Sequence, residues 1–420
     1  MLGRIHDWFE HRGGGKTVIA GWVITRALIL LVFALWESYV VGDVFYYHRK
    51  IAAMFDVGLA NTLYEYPTPV AWILTVPYAL GGGTPTGYAI AFVASMMALD
   101  AGFTYLLWRH NGRRHDRSIT FWLLFVLLIG PLSYLRFDII PAVLAGAAVL
   151  YARRVPRLTG ALTGLGAAIK LWPALLWLAF MAHRPSRRGV TIGFLVSGVG
   201  LAVLSLLFGG WTRLLSPLTW QSGRGLQIES IWATPLMIAR AGDPIRWHVA
   251  MSRFQAFEIF GPGVSTWLTV SNVATLLGLA AIVALYVRGF RAAAPDQVAV
   301  GLVVLSIVAI MILTNKTLSP QYLLWLGGPM AALLLINRTE VTERERRTIR
   351  RLSAQLLGLA LLTQLVYPAF YDGLLGYAGP GMLTTATVIT AIRNLALLAL
   401  SVELVIQAWR CLGIVRRPAP

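Results

Sequence analysis

Residues 17–50 decide the fold and read TVIAGWVITRALILLVFALWESYVVGDVFYYHRK. An apolar run extends from Thr17 to Val41, and Asp43 follows it beside three aromatic residues, a histidine and two basic residues. About 20 apolar residues span a bilayer core, so this run predicts a first membrane span that is directed outward. The run is too long for a signal-peptide core and has no small-residue cleavage site, so we expect the span to be retained.

The composition extends this prediction to the whole chain. Hydrophobic residues make up 57% and charged residues 13% of the 420 residues, and the mean hydropathy is +0.68. Apolar runs recur from residue 17 to residue 408 and leave no room for a separate soluble domain. We therefore expect residues 1–420 to form a single all-α polytopic membrane domain.

The formal net charge of +18 has a local explanation. The basic residues cluster in short connections, at Arg109–Arg117, Arg153–Arg157, Arg184–Arg188, Arg288–Arg291, Arg338–Arg351 and Arg410–Arg417. Cytoplasmic loops carry such an excess of Lys and Arg, so the pattern predicts a multi-pass protein of the plasma membrane and requires no nucleic-acid partner. It also places both termini in the cytoplasm.

If all basic clusters are cytoplasmic, an even number of crossings must separate each from the next. Further spans are then expected at about 86–108, 118–133, 139–152, 158–169, 171–183, 189–208, 266–287, 297–314, 322–337, 352–370 and 382–408, about twelve in all. The short pair 158–169 and 171–183 could instead be a broken or re-entrant hairpin. Two long outer loops lie at about 42–85 and 209–265. In the first, Pro67, Pro69 and Pro77 interrupt regular helix, and interfacial or re-entrant helices are expected.

The outer connections carry the residues that look chemical. Asp43 can be an ordinary solvated acid at a helix end, or a partly desolvated base that deprotonates a hydroxyl. Lys170 lies in the apolar segment GAAIKLWPALLW and either snorkels to the interface or binds an anion such as a lipid phosphate. Arg136 either cooperates with it or pairs with Asp138.

Further candidates come from the other outer connections. In QSGRGLQIESIW, Arg224 suits a phosphate, whereas Gln227 and Glu229 suit sugar hydroxyls, although the segment can also be an ordinary polar loop. Lys316 is a further phosphate candidate. The remaining sugar or acceptor candidates are Tyr47, His48, Tyr66, Asp138, Gln321 and Tyr322.

Several reaction classes lack their motifs. The sequence contains no GxxxxGK[ST], HExxH or serine-hydrolase elbow, and no DxD pair that would hold a cation on a nucleotide sugar. The only cysteine is Cys411, and His48 and His248 are too few and too scattered for a histidine-rich metal site. We expect no metal and no cofactor. An outer-face enzyme then needs an activated donor delivered in the membrane, and a polyprenyl-phosphate sugar meets this need.

The order of features resembles the bacterial membrane glycosyltransferases of the C-type superfamily, specifically family 87. The resemblance is carried by GDVFYYH, the YEYPTP segment, YLRFDIIPAVLAGAAVLYARR, GLGAAIKLWPALL, GRGLQIESIW and LSPQYLLW. It implies an inverting enzyme that uses a polyprenyl-phosphate sugar on the extracytoplasmic side, with Asp43 as the catalytic base and Lys170 in a donor-phosphate role.

Two departures limit what the resemblance implies. The chain has SPQYLLW where some mannosyltransferases of the family carry a histidine pair, and LRFDII where many members have Gly-Gln-x-Asn. Mannose remains the expected sugar and a lipid-linked or cell-envelope glycan the expected acceptor. The alternatives are a polyprenyl-phosphate-arabinose-dependent arabinofuranosyltransferase, a transporter or flippase, and a non-catalytic scaffold. A transporter would concentrate its charges at mid-membrane, and the outer position of the charges here favours an enzyme.

Overall fold

The computed structural model describes residues 14–292, 295–336 and 342–413, which form 18 α-helices and one β-hairpin. The first nine helices are α1 (Gly15–Leu35), α2 (Gly42–Val57), α3 (Thr68–Leu80), α4 (Pro85–His110), α5 (Arg117–Ile129), α6 (Leu132–Leu135), α7 (Ile139–Tyr151), α8 (Pro156–Ile169) and α9 (Leu176–Phe180). The others are α10 (Arg187–Phe194), α11 (Gly200–Ser222), α12 (Thr234–Gly242), α13 (Val264–Arg291), α14 (Gln297–Thr314), α15 (Leu324–Ile336), α16 (Glu343–Gln364), α17 (Tyr371–Leu375) and α18 (Pro380–Leu412). Strands β1 (His248–Met251) and β2 (Phe257–Phe260) pair antiparallel.

Seven helical segments within the described ranges are long and apolar enough to cross a membrane. They are Gly15–Leu35, Pro85–His110, Arg184–Ser222, Val264–Arg291, Gln297–Thr314, Glu343–Ala369 and Pro380–Leu412. The expected all-α, membrane-embedded architecture is confirmed. The other predicted spans correspond to shorter helices, so the number of crossings stays a prediction.

The shorter helices distinguish one part of the molecule. Helices α5, α7 and α15 have 13 residues each and α8 has 14. At 1.5 Å per residue they are about 20 Å long, which is less than the roughly 30 Å of a bilayer core. The expected break after residue 169 is present, since Lys170 adopts an extended conformation at the end of α8.

The two long connections contain more regular structure than their sequences suggest. Helix α1 ends at Leu35, so Asp43 lies in the first turn of the separate helix α2 rather than at the end of the first span. Pro69 is in the first turn of α3, and that helix continues through Pro77. In the second connection, α11 extends to Ser222 with a kink at Gly210, which has φ +74°.

Glycines set the close packing at the centre. Added Cβ atoms at Gly146 of α7 and Gly328 of α15 would meet the backbone of the other helix, so these two helices cross in direct contact. Small residues permit such backbone approach within membranes. The contact brings Asp138, just before α7, next to Trp325 near the start of α15.

A buried ion pair joins the long helices α1 and α4. The Asp100 carboxylate accepts two hydrogen bonds from Arg26 at 2.8 and 2.7 Å, and others from Trp22, Trp122 and Tyr134. Both charged residues lie near the middle of candidate membrane spans. The expectation that charges are confined to the outer helix ends is therefore wrong. The position of the charges does not distinguish an enzyme from a transporter.

The predicted cytoplasmic position of the termini concerns residues 1–13 and 414–420, which lie outside the described residues.

Candidate active site

One cavity of about 600 Å³ collects the polar connections at one end of the helices. Ten of the predicted site residues line it: Asp43, Tyr47, Tyr66, Arg136, Lys170, Arg224, Gln227, Glu229, Gln321 and Tyr322. The charge pattern assigns their connections to a single side of the membrane, and the fold brings them together. His48, Asp138 and Lys316 are not part of the lining.

Asp43 and Arg136 form an ion pair on the cavity wall. Oδ2 of Asp43 lies 2.6 Å from Nη2 of Arg136, and the Asp43 side chain remains 48% exposed. The Arg136 guanidinium is buried and also donates to the carbonyl oxygen of Leu135. Arg136 therefore pairs with Asp43, and the alternative in which it pairs with Asp138 is wrong. The arginine orients Asp43, and the carboxylate stays open to the cavity.

Helix geometry separates the neighbours of Asp43. At 100° per residue, position 47 lies about 40° from position 43 around α2, whereas position 48 lies about 140° away. Tyr47 accordingly lines the cavity and packs against Tyr66. His48 points elsewhere, with Nε2 2.8 Å from the carbonyl oxygen of Gly83 and its ring stacked on Tyr78. Its contacts anchor α2 to the segment before α4.

Lys170 occupies an aromatic cage. Its ammonium lies 4.8 Å from the ring centre of Tyr66 and 4.9 Å from that of Phe137, with Tyr322 and Trp325 at 5.9 Å. Buried Asp138 lies 3.4 Å away through Oδ1, which also accepts a 2.9 Å hydrogen bond from Trp325. Asp138 and the rings therefore hold the ammonium at the cavity wall. Asp138 itself is buried beneath Lys170 and does not line the cavity.

Arg224 and Lys316 add positive charge at a second position. Arg224 lines the cavity, and neither residue forms an ion pair within the described part of the chain. Nζ of Lys316 donates to the carbonyl oxygen of Ser222 at 2.8 Å. Burial lowers the pKa of Lys316; Glu258 opposes this shift and Arg224 adds to it. The two cations provide positive charge near the cavity, which Glu258 offsets in part.

The loop that carries Gln227 and Glu229 is held by backbone contacts. Gln227 N–H donates to the carbonyl of Lys316 at 3.2 Å, and Ile228 N–H donates to that of Phe257 in β2 at 3.2 Å. Both side chains are buried against the cavity wall. Burial raises the pKa of Glu229 to about 7, and Arg393 opposes the rise.

Aromatic rings form another face of the cavity. Tyr322 stacks on Trp325 with 4.3 Å between ring centres, and Trp325 stacks on Trp172 at 5.2 Å. All three residues line the cavity beside Gln321. Stacked rings next to an amide are the kind of surface that contacts the apolar face of a sugar.

The sequence did not single out several lining residues, among them Asn315, Tyr367 and Tyr371. Tyr367 and Tyr371 pack edge to face, 4.8 Å apart, after the long helix α16. The predicted outer position of YPAFYDG is the available signal, but aromatic residues are common at membrane interfaces and do not by themselves indicate a site. Among the described residues, no group of three or more His, Cys, Asp or Glu side chains could hold a metal ion.

Three carboxylates (Asp43, Glu65 and Glu229) and four cations (Arg49, Arg136, Lys170 and Arg224) line one cavity of a helical membrane protein, a composition suited to a polar substrate that carries an anionic group. The family model of glycosyltransferase family 87 matches residues 64–310, more than half of the 420-residue chain. The chain belongs to this family and is a membrane glycosyltransferase, which argues against the transporter alternative. Comparisons with curated proteins and with solved structures gave no significant match.

Proposed function

We propose that the protein transfers a sugar from a polyprenyl-phosphate donor to a hydroxyl of a lipid-linked or cell-envelope glycan, with Asp43 as the general base. The observation that carries this proposal is the half-exposed Asp43 carboxylate on a cavity that Arg136, Lys170 and Arg224 also line. The carboxylate accepts a proton, and the cations bind a phosphate leaving group. A single-displacement transfer with inversion needs both functions.

The proposed step is balanced in atoms and charge. The acceptor oxygen attacks the anomeric carbon of the donor while its proton passes to Asp43. The bond between the anomeric carbon and the phosphate oxygen breaks, and its electron pair leaves with the polyprenyl phosphate. The donor phosphodiester thereby becomes a monoester with one additional negative charge, as Asp43 loses its own.

Arg136 is placed to respond to this shift of charge. It lies 2.6 Å from Asp43 before the reaction. Once Asp43 is protonated, the guanidinium has lost its anionic partner and can stabilise the new charge on the phosphate. Arginine suits this role because its planar fork binds carboxylate and phosphate oxygens alike.

The surroundings of the cavity support a lipid-linked donor. Seven helices in the described part of the chain are apolar and long enough to cross a membrane, so a donor that is itself a lipid can reach the site by lateral diffusion. The basic clusters lie in the alternate connections, which supports an extracytoplasmic cavity in the plasma membrane. Mannose is the expected sugar, and arabinose is the competing one.

The experiment is transfer by purified protein in proteoliposomes, supplied with radiolabelled polyprenyl-phosphate mannose and an envelope-lipid extract. The wild type should move label into extractable glycolipid, and Asp43→Asn should lose nearly all transfer. Asp56→Asn, which changes an exposed acid at the far end of α2, is the matched control and should remain active. Equal transfer by wild type and Asp43→Asn would show that Asp43 is not the base.

Two further arms test the finer assignments. Consumption of polyprenyl-phosphate arabinose alone would retain the reaction class and reject mannose. For sidedness, exposed Asn61→Cys in a Cys411→Ser background should react with an impermeant thiol reagent added outside intact cells, whereas exposed Arg114→Cys should not. The reverse labelling pattern would reject an extracytoplasmic site.

A further inference from the structure

A buried polar contact joins the Glu229 loop to helix α18. Nη2 of Arg393 donates to the Glu229 carbonyl at 2.9 Å, and Nδ2 of Asn394 donates to the same oxygen at 3.3 Å and to Oγ1 of Thr234 at 2.7 Å. Arg393 and Asn394 lie in the middle of the 33-residue α18, more than 150 residues from the loop in sequence. They fix the loop backbone against the bundle.

The Glu229 side chain itself is not saturated. It is 1% exposed and lines the cavity, yet its Oε2 accepts no hydrogen bond from the described residues. The nearest charge is Nη2 of Arg393, 3.6 Å from Oε2, which is longer than a hydrogen bond. On Arg393, which is 0% exposed, Nε and Nη1 also have no partner among those residues.

Such groups are costly unless something satisfies them. An unpaired buried donor or acceptor destabilises the folded state, and a charged group does so more strongly. The neighbouring Gln227 also lines the cavity, and its buried Oε1 has no partner in the described chain. A carboxylate and an amide oxygen that share one wall both accept hydrogen bonds. Ligand hydroxyls supply the matching donors.

This wall adjoins the reacting centre. Tyr367 lines the cavity and interacts electrostatically with Arg136, Asp43 and Glu229. Its partner Tyr371 lines the same part of the cavity. A sugar ring whose reacting atom is beside Asp43 can therefore extend its hydroxyls toward Glu229.

We propose that Glu229 is a sugar-recognition residue, which accepts hydrogen bonds from ring hydroxyls of a bound sugar, and that Arg393 and Asn394 are its positioning residues. The assignment rests on the proposed function. The sugar belongs either to the donor or to the acceptor, because both carry hydroxyls next to the reacting atoms. The dependence of the rate on each substrate distinguishes the two.

The test separates recognition from a structural ion pair. Removing one member of a buried pair destabilises a protein, whereas replacing both members by apolar residues is often neutral. In the double variant Glu229→Met with Arg393→Met, Asn394 can still hold the residue 229 carbonyl. We expect it to unfold within a few degrees of the wild type and to show a KM raised about 10- to 100-fold for one substrate, from the loss of charge-assisted hydrogen bonds.

The KM values are measured in proteoliposomes, with graded polyprenyl-phosphate mannose at fixed extract and with graded extract at fixed donor. A rise confined to the donor assigns the sugar to the donor, and a rise confined to the acceptor assigns it to the acceptor. Glu229→Gln, which keeps shape and removes charge, should show the same selectivity with a smaller increase. This variant provides the answer if the double variant fails to fold.

Two results would overturn the assignment while leaving the proposed function intact: unchanged KM values for both substrates, or equal increases in both, which would indicate general distortion. A wild type that transfers no sugar overturns the proposed function and this assignment together.

Discussion

The molecule contains two acid–arginine pairs that differ in what surrounds them. Asp100 is fully buried, and its carboxylate accepts five hydrogen bonds, from Arg26, Trp22, Trp122 and Tyr134. Asp43 forms an ion pair with Arg136, and its side chain remains 48% exposed and faces a cavity. The first carboxylate has no capacity left for a ligand. The second is oriented by its arginine and still has an open oxygen, which is the arrangement that chemistry requires.

Asp43→Asn should give the largest effect on activity. Loss of a general base costs about 10²–10⁴-fold in rate. The variant also removes the carboxylate partner of Arg136, but Arg136 keeps its hydrogen bond to the Leu135 carbonyl and lines the cavity, so the loss of stability should be smaller than for Asp100→Asn. Initial transfer rates and thermal unfolding of the same preparation test both parts. A variant that is inactive only because it unfolds would remove the contrast with Asp100.

Asp100→Asn should give the opposite result. It leaves Arg26 charged and buried, which costs about 3–5 kcal/mol. Folded protein should decrease in yield and unfold at a lower temperature, while the rate per folded molecule stays close to that of the wild type. Thermal unfolding and active-fraction measurements provide the check, and a selective loss of rate at unchanged stability would assign Asp100 to the site.

Lys170→Ala tests whether the Lys170 ammonium acts in the same site as the Asp43–Arg136 pair. If it binds the donor phosphate, the KM for polyprenyl-phosphate sugar should rise about 10- to 100-fold, the equivalent of one charge-assisted contact. The acceptor KM should change little. Lys50→Ala removes an exposed lysine outside the cavity and serves as the control. A defect confined to the acceptor would reject the phosphate role.

The smallest predicted effect concerns Glu229. Burial raises its pKa to about 7 from 4.5, so the folded protein binds more protons than the unfolded chain between these values. The free energy of unfolding should therefore fall as pH rises from about 4.5 to 7 and then level off. Arg393 and the phenols of Tyr367 and Tyr371 face this group. Glu229→Gln should flatten the pH dependence; an unchanged slope would show that another group is responsible.

The site residues that can be predicted from the sequence are those that differ in charge from their immediate neighbours. Lys170 is a cation within an apolar segment, and Asp43 is an acid after one, so each is visible without knowledge of the fold. Arg26 and Asp100 are equally anomalous but are separated by 74 residues, and their pairing depends on which helix faces which. Arg393 is harder still to predict from the sequence, because its partner Glu229 lies on a loop 164 residues earlier.

The segment beside Asp43 shows how neighbours in sequence separate in space. VFYYHRK appeared as one polar group, and a helix places Tyr47 and His48 about 100° apart. Tyr46, Tyr47 and Arg49 line the cavity, whereas His48 does not. The helical character of residues 42–57 was expected in outline, but the phase of the helix relative to the cavity depends on its packing against α3 and α4.

The short helices have a consequence for the membrane itself. Helices α7 and α8, with Asp138 and Lys170 at their cavity ends, are about 10 Å shorter than a bilayer core, whereas α13 and α18 extend over 28 and 33 residues. Asp138 and Lys170 therefore lie about 20 Å from the opposite ends of these helices, which is less than the thickness of a bilayer core. Helix α7 is almost wholly buried, so neighbouring helices and not lipid surround this short segment. Protein rather than lipid thus fills the remaining thickness around α7.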